Sequence, residues 1–292
     1  MFNIRKAERR QAKLRLALIG VSGCGKSIGA INIALGMQQK FVVIDTEQKS
    51  ADLYANIADF DVLTLDKPFT PDRYIEAIKQ CEKAGYETII IDSLTHAWSG
   101  EGGVLDIQDN VTQASRTKNS YTAWKEVTPL HNKLVNAILH SSSHIIVTMR
   151  VKTHYEVVSE NGKAKPIKIG LSPIQREGMD YEFTTVLDID KDSHLYTSSK
   201  DRTQLFEGKH EKLSKETGIE LLKWLNDGRS ISDVEAEEVS KIKQDMMMAL
   251  TVDKLRSEYA FAKQKYPHLE NEFLVIANTV KEKLLNSEDI KQ

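Results

Sequence analysis

"LRLALIGVSGCGKSIGAINIAL", residues 14–35, decides the fold. Gly20, Gly25, Lys26 and Ser27 stand in it at the spacing G-x-x-x-x-G-K-[ST], with a further Gly23 between them. Leu14 to Ile19 is an apolar, β-prone run that predicts a strand, and Ile28 to Leu35 fits a helix. A glycine-rich turn between a strand and a helix is the context a phosphate-binding loop requires. Glycines let backbone N–H groups turn inward with no Cβ in the way. The following helix adds the positive end of its dipole. The spacing therefore predicts a nucleotide held by Gly20, Ser22, Gly23, Cys24, Gly25, Lys26, Ser27 and Ile28. Lys26 would reach the β- and γ-phosphates, and Ser27 would ligate Mg²⁺. Cys24 reads as a small filler of the loop, because no base stands beside it in sequence.

The 292 residues allow one large domain, or one with an appendage, and 40% hydrophobic residues suffice for a core. A net charge of −2 means that any nucleic-acid contact must come from local patches. Cys24 and Cys81 offer neither a zinc spacing nor a disulfide framework. No apolar run approaches a membrane span, and the charged N-terminus lacks the apolar segment of a signal peptide. A cytoplasmic protein is expected, with no membrane partner. His96, His131, His140 and His144 are scattered and read as structural or surface residues.

Strand-like runs alternate with helical ones after the loop. Residues 41–44, 60–65, 87–92, 143–150, 183–190 and 195–203 read as strands, and 70–86, 123–140 and 217–228 as helices. The segment "SGEGGVLDIQDN" between them reads as a loop. Such alternation predicts an α/β fold with a mainly parallel sheet flanked by helices. From about Ser230 the strands stop, and helical stretches break at Thr251 and Pro267. The expected organisation is a basic N-terminal arm (1–13), an ATPase core (14–229) and a small helical C-terminal appendage (230–292). Met246 to Met248 are expected to pack that appendage.

A nucleotide hydrolase needs a carboxylate behind the metal and another group that positions water. Asp92, after Ile89-Ile90-Ile91, is the natural metal-side carboxylate. The next residue is Ser93, so the water-positioning group must come from elsewhere. Asp45 and Glu47 end the other apolar strand, and parallel strands finish along one edge of a sheet, where ligands bind. Glu47 is therefore the expected catalytic carboxylate. The alternative is that Asp45 and Glu47 only end the strand and cap the turn after it.

A glutamate on a neighbouring strand, with Asp-Ser after the second apolar strand, resembles the core of the RecA-like P-loop ATPases over residues 14 to about 206. "VVIDTEQKSADLYA" looks like the segment carrying their catalytic glutamate, "IIIDSLTHAW" like their metal-aspartate strand, and "IIVTMRVK" like the strand leading into their second DNA-binding loop. The set "GVSGCGKS", "IDTE", "IDSLTHAWSGEGG", "TMRVKTHY", "QREGMDYEF" and "KDRT" is similar, more narrowly, to phage AAA-family ATPases of the Sak-type single-strand annealing group. The resemblance implies ATP as ligand, self-assembly into a ring or filament, and work on single-stranded DNA in phage recombination or annealing. It implies that Lys200 and Arg202 of "KDRT" are catalytic groups acting on a neighbouring subunit's ATP; the alternative is an ordinary surface strand end. RecA carries a glutamine sensor after its last core strand, whereas Thr148, Met149 and Arg150 occupy that region here.

Asn161-Gly162 between two β-prone runs predicts a hairpin. Lys152, Lys163, Lys165, Lys168 and Arg176 with Tyr155 interleave cations and an aromatic, as sequence-tolerant single-strand binding needs. A solvated hairpin or a subunit contact is the plainer alternative. The rival function is a nucleotide-gated protein-interaction module without direct DNA binding, whose partner would be a phage or host single-strand-binding or replication protein.

Overall fold

Two residue sets alternate along the central strands and feed two separate cores, one on each face of a sheet. The computed structural model describes residues 6–116, 118–160 and 163–289, with 154–160, 163–169 and 286–289 described by backbone alone. On β1 (Arg15–Gly20), Ala17 and Ile19 enter one core and Leu16 and Leu18 the other. β2 (Phe41–Asp45), β4 (Thr88–Asp92) and β5 (His144–Glu160) divide in the same way, with Ile89 and Ile91 opposite Ile90, and Ile145 and Val147 opposite Ile146. The period of two in a strand makes this unavoidable, and strands buried on both faces need the unbroken apolar runs seen in the sequence.

The strand order is β3-β2-β4-β5-β1-β7-β8, with β3 Asp61–Thr64, β7 Thr185–Ile189 and β8 Tyr196–Asp201. Every neighbouring pair is parallel except β7 with β8. Helices α1 (Lys26–Gly36) and α6 (Lys215–Leu225) cover one face, and α2 (Pro71–Lys83) and α5 (Ser120–Leu139) the other. The α/β class with a mainly parallel, helix-flanked sheet is as the sequence indicates. The segment read as a loop after Trp98 instead holds α3 (Thr95–Ser99) and α4 (Val104–Ala114). Its glycines only punctuate the helix start, and Val104, Ile107 and Val111 keep helical spacing.

α1 and α6 touch backbone to backbone. A Cβ on Gly36 would lie 1.9 Å from the Lys215 carbonyl oxygen, and one on Gly218 would lie 2.1 Å from that of Ile33. Neither backbone can yield without moving a helix. Gly36→Ala is expected to cost about 3 kcal/mol by overpacking, which for a domain of this size lowers the melting temperature by roughly 6–12 °C. A thermal melt checks this, and an unchanged midpoint would mean that the two helices can separate freely.

His144 at the start of β5 is buried, and burial pushes its imidazole down to about 3. It is therefore neutral, and its Nδ1 accepts the Leu14 N–H at 2.9 Å.

β5 outruns the sheet. Arg15 to Gly20 of β1 pair with Ile145 to Arg150, and past that point β5 pairs antiparallel with β6 (Lys163–Pro173), from Val151 opposite Pro173 to Glu160 opposite Lys163. At about 3.3 Å per residue, Val151 to Glu160 make on the order of 30 Å of extended chain. The tip residues Asn161 and Gly162 lie outside the described residues.

The chain divides into two compact units, residues 13–225 and a second unit made of 1–12 with 226–292. In the second, α7 (Ile231–Met247), α8 (Val252–Lys265) and α9 (Glu270–Asp289) close around Val239, Ile242, Met246, Leu255 and Phe273. The N-terminal segment, expected to be a separate arm, belongs with these helices. The Gln11 N–H donates to the Arg229 carbonyl at 2.9 Å, the Arg229 N–H to that of Arg9 at 3.1 Å, and Arg10 pairs with Glu8 and Glu238. Glu238 of α7 thus pairs with a cation whose distant partner the sequence does not reveal. Of the three methionines, only Met246 packs inward; Met247 and Met248 are 59% and 71% exposed. Helical rotation of about 100° per residue forbids three consecutive residues from sharing one face. No helix among the described residues is long and apolar enough to cross a membrane.

Candidate nucleotide site

Parallel pairing brings the ends of β1, β2, β4 and β5 to one edge. Asp45 stands in register with Asp92, and Gly20 with Arg150. The predicted phosphate loop leaves β1 at that edge and enters α1. Gly23 and Gly25 sit at φ +81° and +99°, which turns the loop back on itself without side-chain strain. A Cβ on Gly20 would meet Cys24 Sγ at 2.5 Å and the Ile189 carbonyl at 2.8 Å. Cys24 is fully buried beneath the loop, as a filler would be. His194 Nδ1 lies 3.0 Å from the Cys24 carbonyl and braces the loop from outside.

Lys26 is 8% exposed, and its ammonium donates to the carbonyls of Gly20 at 3.0 Å and Val21 at 2.7 Å. The Ser27 hydroxyl, on the next residue, stands near the Asp92 side chain in the same pocket. The Thr148 hydroxyl donates to Asp92 Oδ1 from the adjacent strand. Burial raises the pKa of Asp92, while these two hydroxyls and the Lys26 charge oppose that rise.

The two carboxylates after β2 have different tasks. Asp45 Oδ1 accepts the Glu47 N–H at 2.6 Å and Oδ2 the Ala51 N–H at 3.0 Å, so Asp45 caps the turn. Glu47 caps nothing of the kind. Its Oε1 accepts from Arg150 Nη2 at 2.7 Å and Nε at 3.1 Å. A pocket of about 170 Å³ is lined by Ser22, Gly23, Gly25, Lys26, Ser27, Glu47, Asp92 and Arg150 together with Ser50 and Tyr54. The glycine-rich loop, the Ser27 hydroxyl, Asp92 and Glu47 therefore meet in one place. Ile28 faces a neighbouring cleft of about 450 Å³, more apolar in character, with Tyr54, Ile189, His194 and Leu213. A third cleft of about 610 Å³ lies on the far side of Glu47 and Arg150 and includes Thr46, Lys67, Phe69 and His96. His96 stacks on Phe69 and bonds the Thr46 hydroxyl at 2.8 Å.

The other predicted residues do not meet this pocket. Asp201, between Lys200 and Arg202, pairs with Thr185, which pairs with Leu16 near the start of β1. Lys200 and Arg202 thus lie at the sheet edge opposite the loop, and the Lys200 ammonium donates to the Tyr181 carbonyl. Burial and the charge of Arg202 lower the Lys200 pKa. Lys152 is exposed at the root of the β5–β6 arm, and Arg176 packs over the Trp124 ring. Tyr155 pairs with Lys168 in backbone register, and Lys163 and Lys165 sit on the returning strand; the side chains of these four lie outside the described residues. Arg150 and Thr148, which the sequence marks only as occupants of the region of the RecA sensor, also reach the Glu47 and Asp92 carboxylates. Their signal is a hydroxyl and a cation at the end of an otherwise apolar strand, "IIVTMR".

The chemistry of the donor set fits a nucleoside triphosphate with Mg²⁺. A loop turned by two glycines at positive φ and a buried ammonium suit phosphate oxygens, and a hydroxyl beside a buried carboxylate suits a hard cation that keeps several waters.

A family model described as an AAA domain matches residues 12–216. No curated protein matches the chain. Among solved structures it is similar to the RadB recombinase, at 15% identity over 66% of this chain and 83% of that chain, with a TM-score of 0.35.

Proposed function

Because this chain belongs to the AAA-domain family of P-loop nucleotide-binding proteins, we propose that it is an Mg²⁺-dependent ATPase that assembles with copies of itself and acts on single-stranded DNA. What carries the reading is the meeting of Lys26, Ser27, Asp92 and Glu47 in a single pocket. Lys26 and the loop amides hold the phosphates. Ser27 and, through water, Asp92 hold the metal, which when bound neutralises charge on the phosphate oxygens. Glu47 orients the attacking water and takes up its proton. The apolar cleft beyond Ile28 suits the nucleoside end. Lys200 and Arg202 lie away from this site in their own chain, so they would act only across a subunit boundary, stabilising charge at a neighbour's phosphates. The role is of phage type, in recombination or annealing.

The DNA reading rests on the β5–β6 arm, which continues from the strand that borders the site. If Lys152, Lys163, Lys165, Lys168 and Arg176 each neutralise one phosphate, log K should fall with log [salt] at a slope of about −3.5, or roughly 100-fold in affinity between 50 and 200 mM. Steady-state hydrolysis with and without single-stranded DNA at those salt levels is the test. The expected result is stimulation that fades on that slope; hydrolysis indifferent to DNA at both would remove DNA from the function.

The second reading, a nucleotide-gated interaction module, draws on the helical unit. Met247, Ala249, Val275 and Ile276 line an apolar groove of about 370 Å³ there, with Met248 and Leu250 exposed nearby. A single-strand-binding or replication protein is the partner this reading requires.

A further inference from the structure

Arg150 stands where three parts of the molecule meet. It is the last β5 residue paired with β1, opposite Gly20 at the mouth of the phosphate loop. The next residue, Val151, is the first of the arm, opposite Pro173 of the returning strand. The Arg150 backbone is held from both sides, its N–H donating to Thr95 Oγ1 at 2.9 Å and its carbonyl accepting the Ile174 N–H at 2.7 Å. Ile174 directly follows β6, so both strands of the arm converge on this residue. Its guanidinium then reaches Glu47 with two N–H groups, both on Oε1.

Two donors converging on Oε1 anchor that oxygen and leave Oε2 to accept from water. Charge-assisted bonds of this kind are shorter and stronger than neutral ones. Asp45 holds the Glu47 backbone N–H, while the carboxylate itself takes its hydrogen bonds from Arg150. We infer that Arg150 is the positioning residue of Glu47, and that it transmits displacement of the β5–β6 arm to the orientation of that carboxylate. This deepens the proposed ATPase function and rests on Glu47 being the group that orients water. An occupant of the arm would thus alter turnover with no contact of its own to the nucleotide. The competing role is direct: Arg150 also borders the nucleotide pocket and could serve the phosphates itself.

A double-mutant cycle separates the two, using Arg150→Ala, Glu47→Gln, the double variant and Arg150→Lys in the full-length protein. Positioning predicts that Arg150→Ala lowers kcat by about 10–100-fold and changes affinity for a non-hydrolysable triphosphate less than threefold. It predicts no further loss when Arg150→Ala is added to Glu47→Gln in single-turnover assays. Arg150→Lys should recover part of kcat, since a lysine keeps the charge but not the two-pronged contact. A tenfold weaker triphosphate affinity with diphosphate affinity intact, or the same loss in both backgrounds, would overturn the inference while leaving Glu47 in its role. Normal turnover in Glu47→Gln would instead remove the reading on which it rests. Melting curves identify any variant that fails to fold; Arg150→Lys alone then decides, and a kcat within twofold of wild type there would equally overturn the inference.

Discussion

Lys26→Ala is expected to weaken triphosphate binding by roughly 10–150-fold, the factor that corresponds to losing hydrogen bonds to a charged group. Turnover should fall further, by about 1,000-fold, because a preorganised charge counts most where negative charge develops in the reaction. The reason lies in the surroundings of the ammonium. It is held almost out of water over the loop, by the carbonyls of Gly20 and Val21. A cation kept in so little water interacts with phosphate far more strongly than an exposed surface lysine would. The fold should survive, because the cores on the two faces of the sheet are apolar and do not use Lys26. Isothermal titration with a non-hydrolysable triphosphate and a steady-state assay provide the measurements. Wild-type affinity and turnover in Lys26→Ala would exclude the loop as the phosphate site.

Glu47→Gln is expected to bind nucleotide within about threefold of wild type and to lose roughly 100- to 10,000-fold in hydrolysis, the usual range for removing a general base. The substitution preserves shape and an oxygen that can still accept from Arg150. It removes the negative charge that, in the proposed mechanism, draws and deprotonates water. Neighbouring Asp45 is poorly suited to replace it, since each of its oxygens already accepts a backbone N–H. Equilibrium binding and single-turnover hydrolysis read the two quantities separately. Unimpaired hydrolysis in this variant would take Glu47 out of the chemistry.

These two residues also show how much of the site is legible in the unfolded chain. The loop is local: a strand, a glycine-rich turn and a helix contiguous in sequence, with glycines marking where φ must be positive. Asp92 is nearly as plain, because a carboxylate closing a run of three isoleucines has to emerge at a sheet edge. The division of labour between Asp45 and Glu47 is not legible. Both come after the same strand, and only the turn that folds back to Ala51 makes one a cap and leaves the other facing the pocket. The helix α4 is hidden by the glycines before it, and the N-terminal segment reads as an arm because its partners, Arg229 and Glu238, lie more than two hundred residues away.

Hydrophobic period and turn chemistry within a short window are enough to fix the α/β class, the phosphate loop and the change to helices after residue 230. Long-range packing was needed to set β5 between β1 and β4, which puts Arg150 beside Gly20 and its guanidinium on Glu47. The same packing sets Lys200 and Arg202 at the edge away from the loop. Strand order is chosen by which apolar faces pack together, and no window of sequence contains both members of a pair separated by a hundred residues.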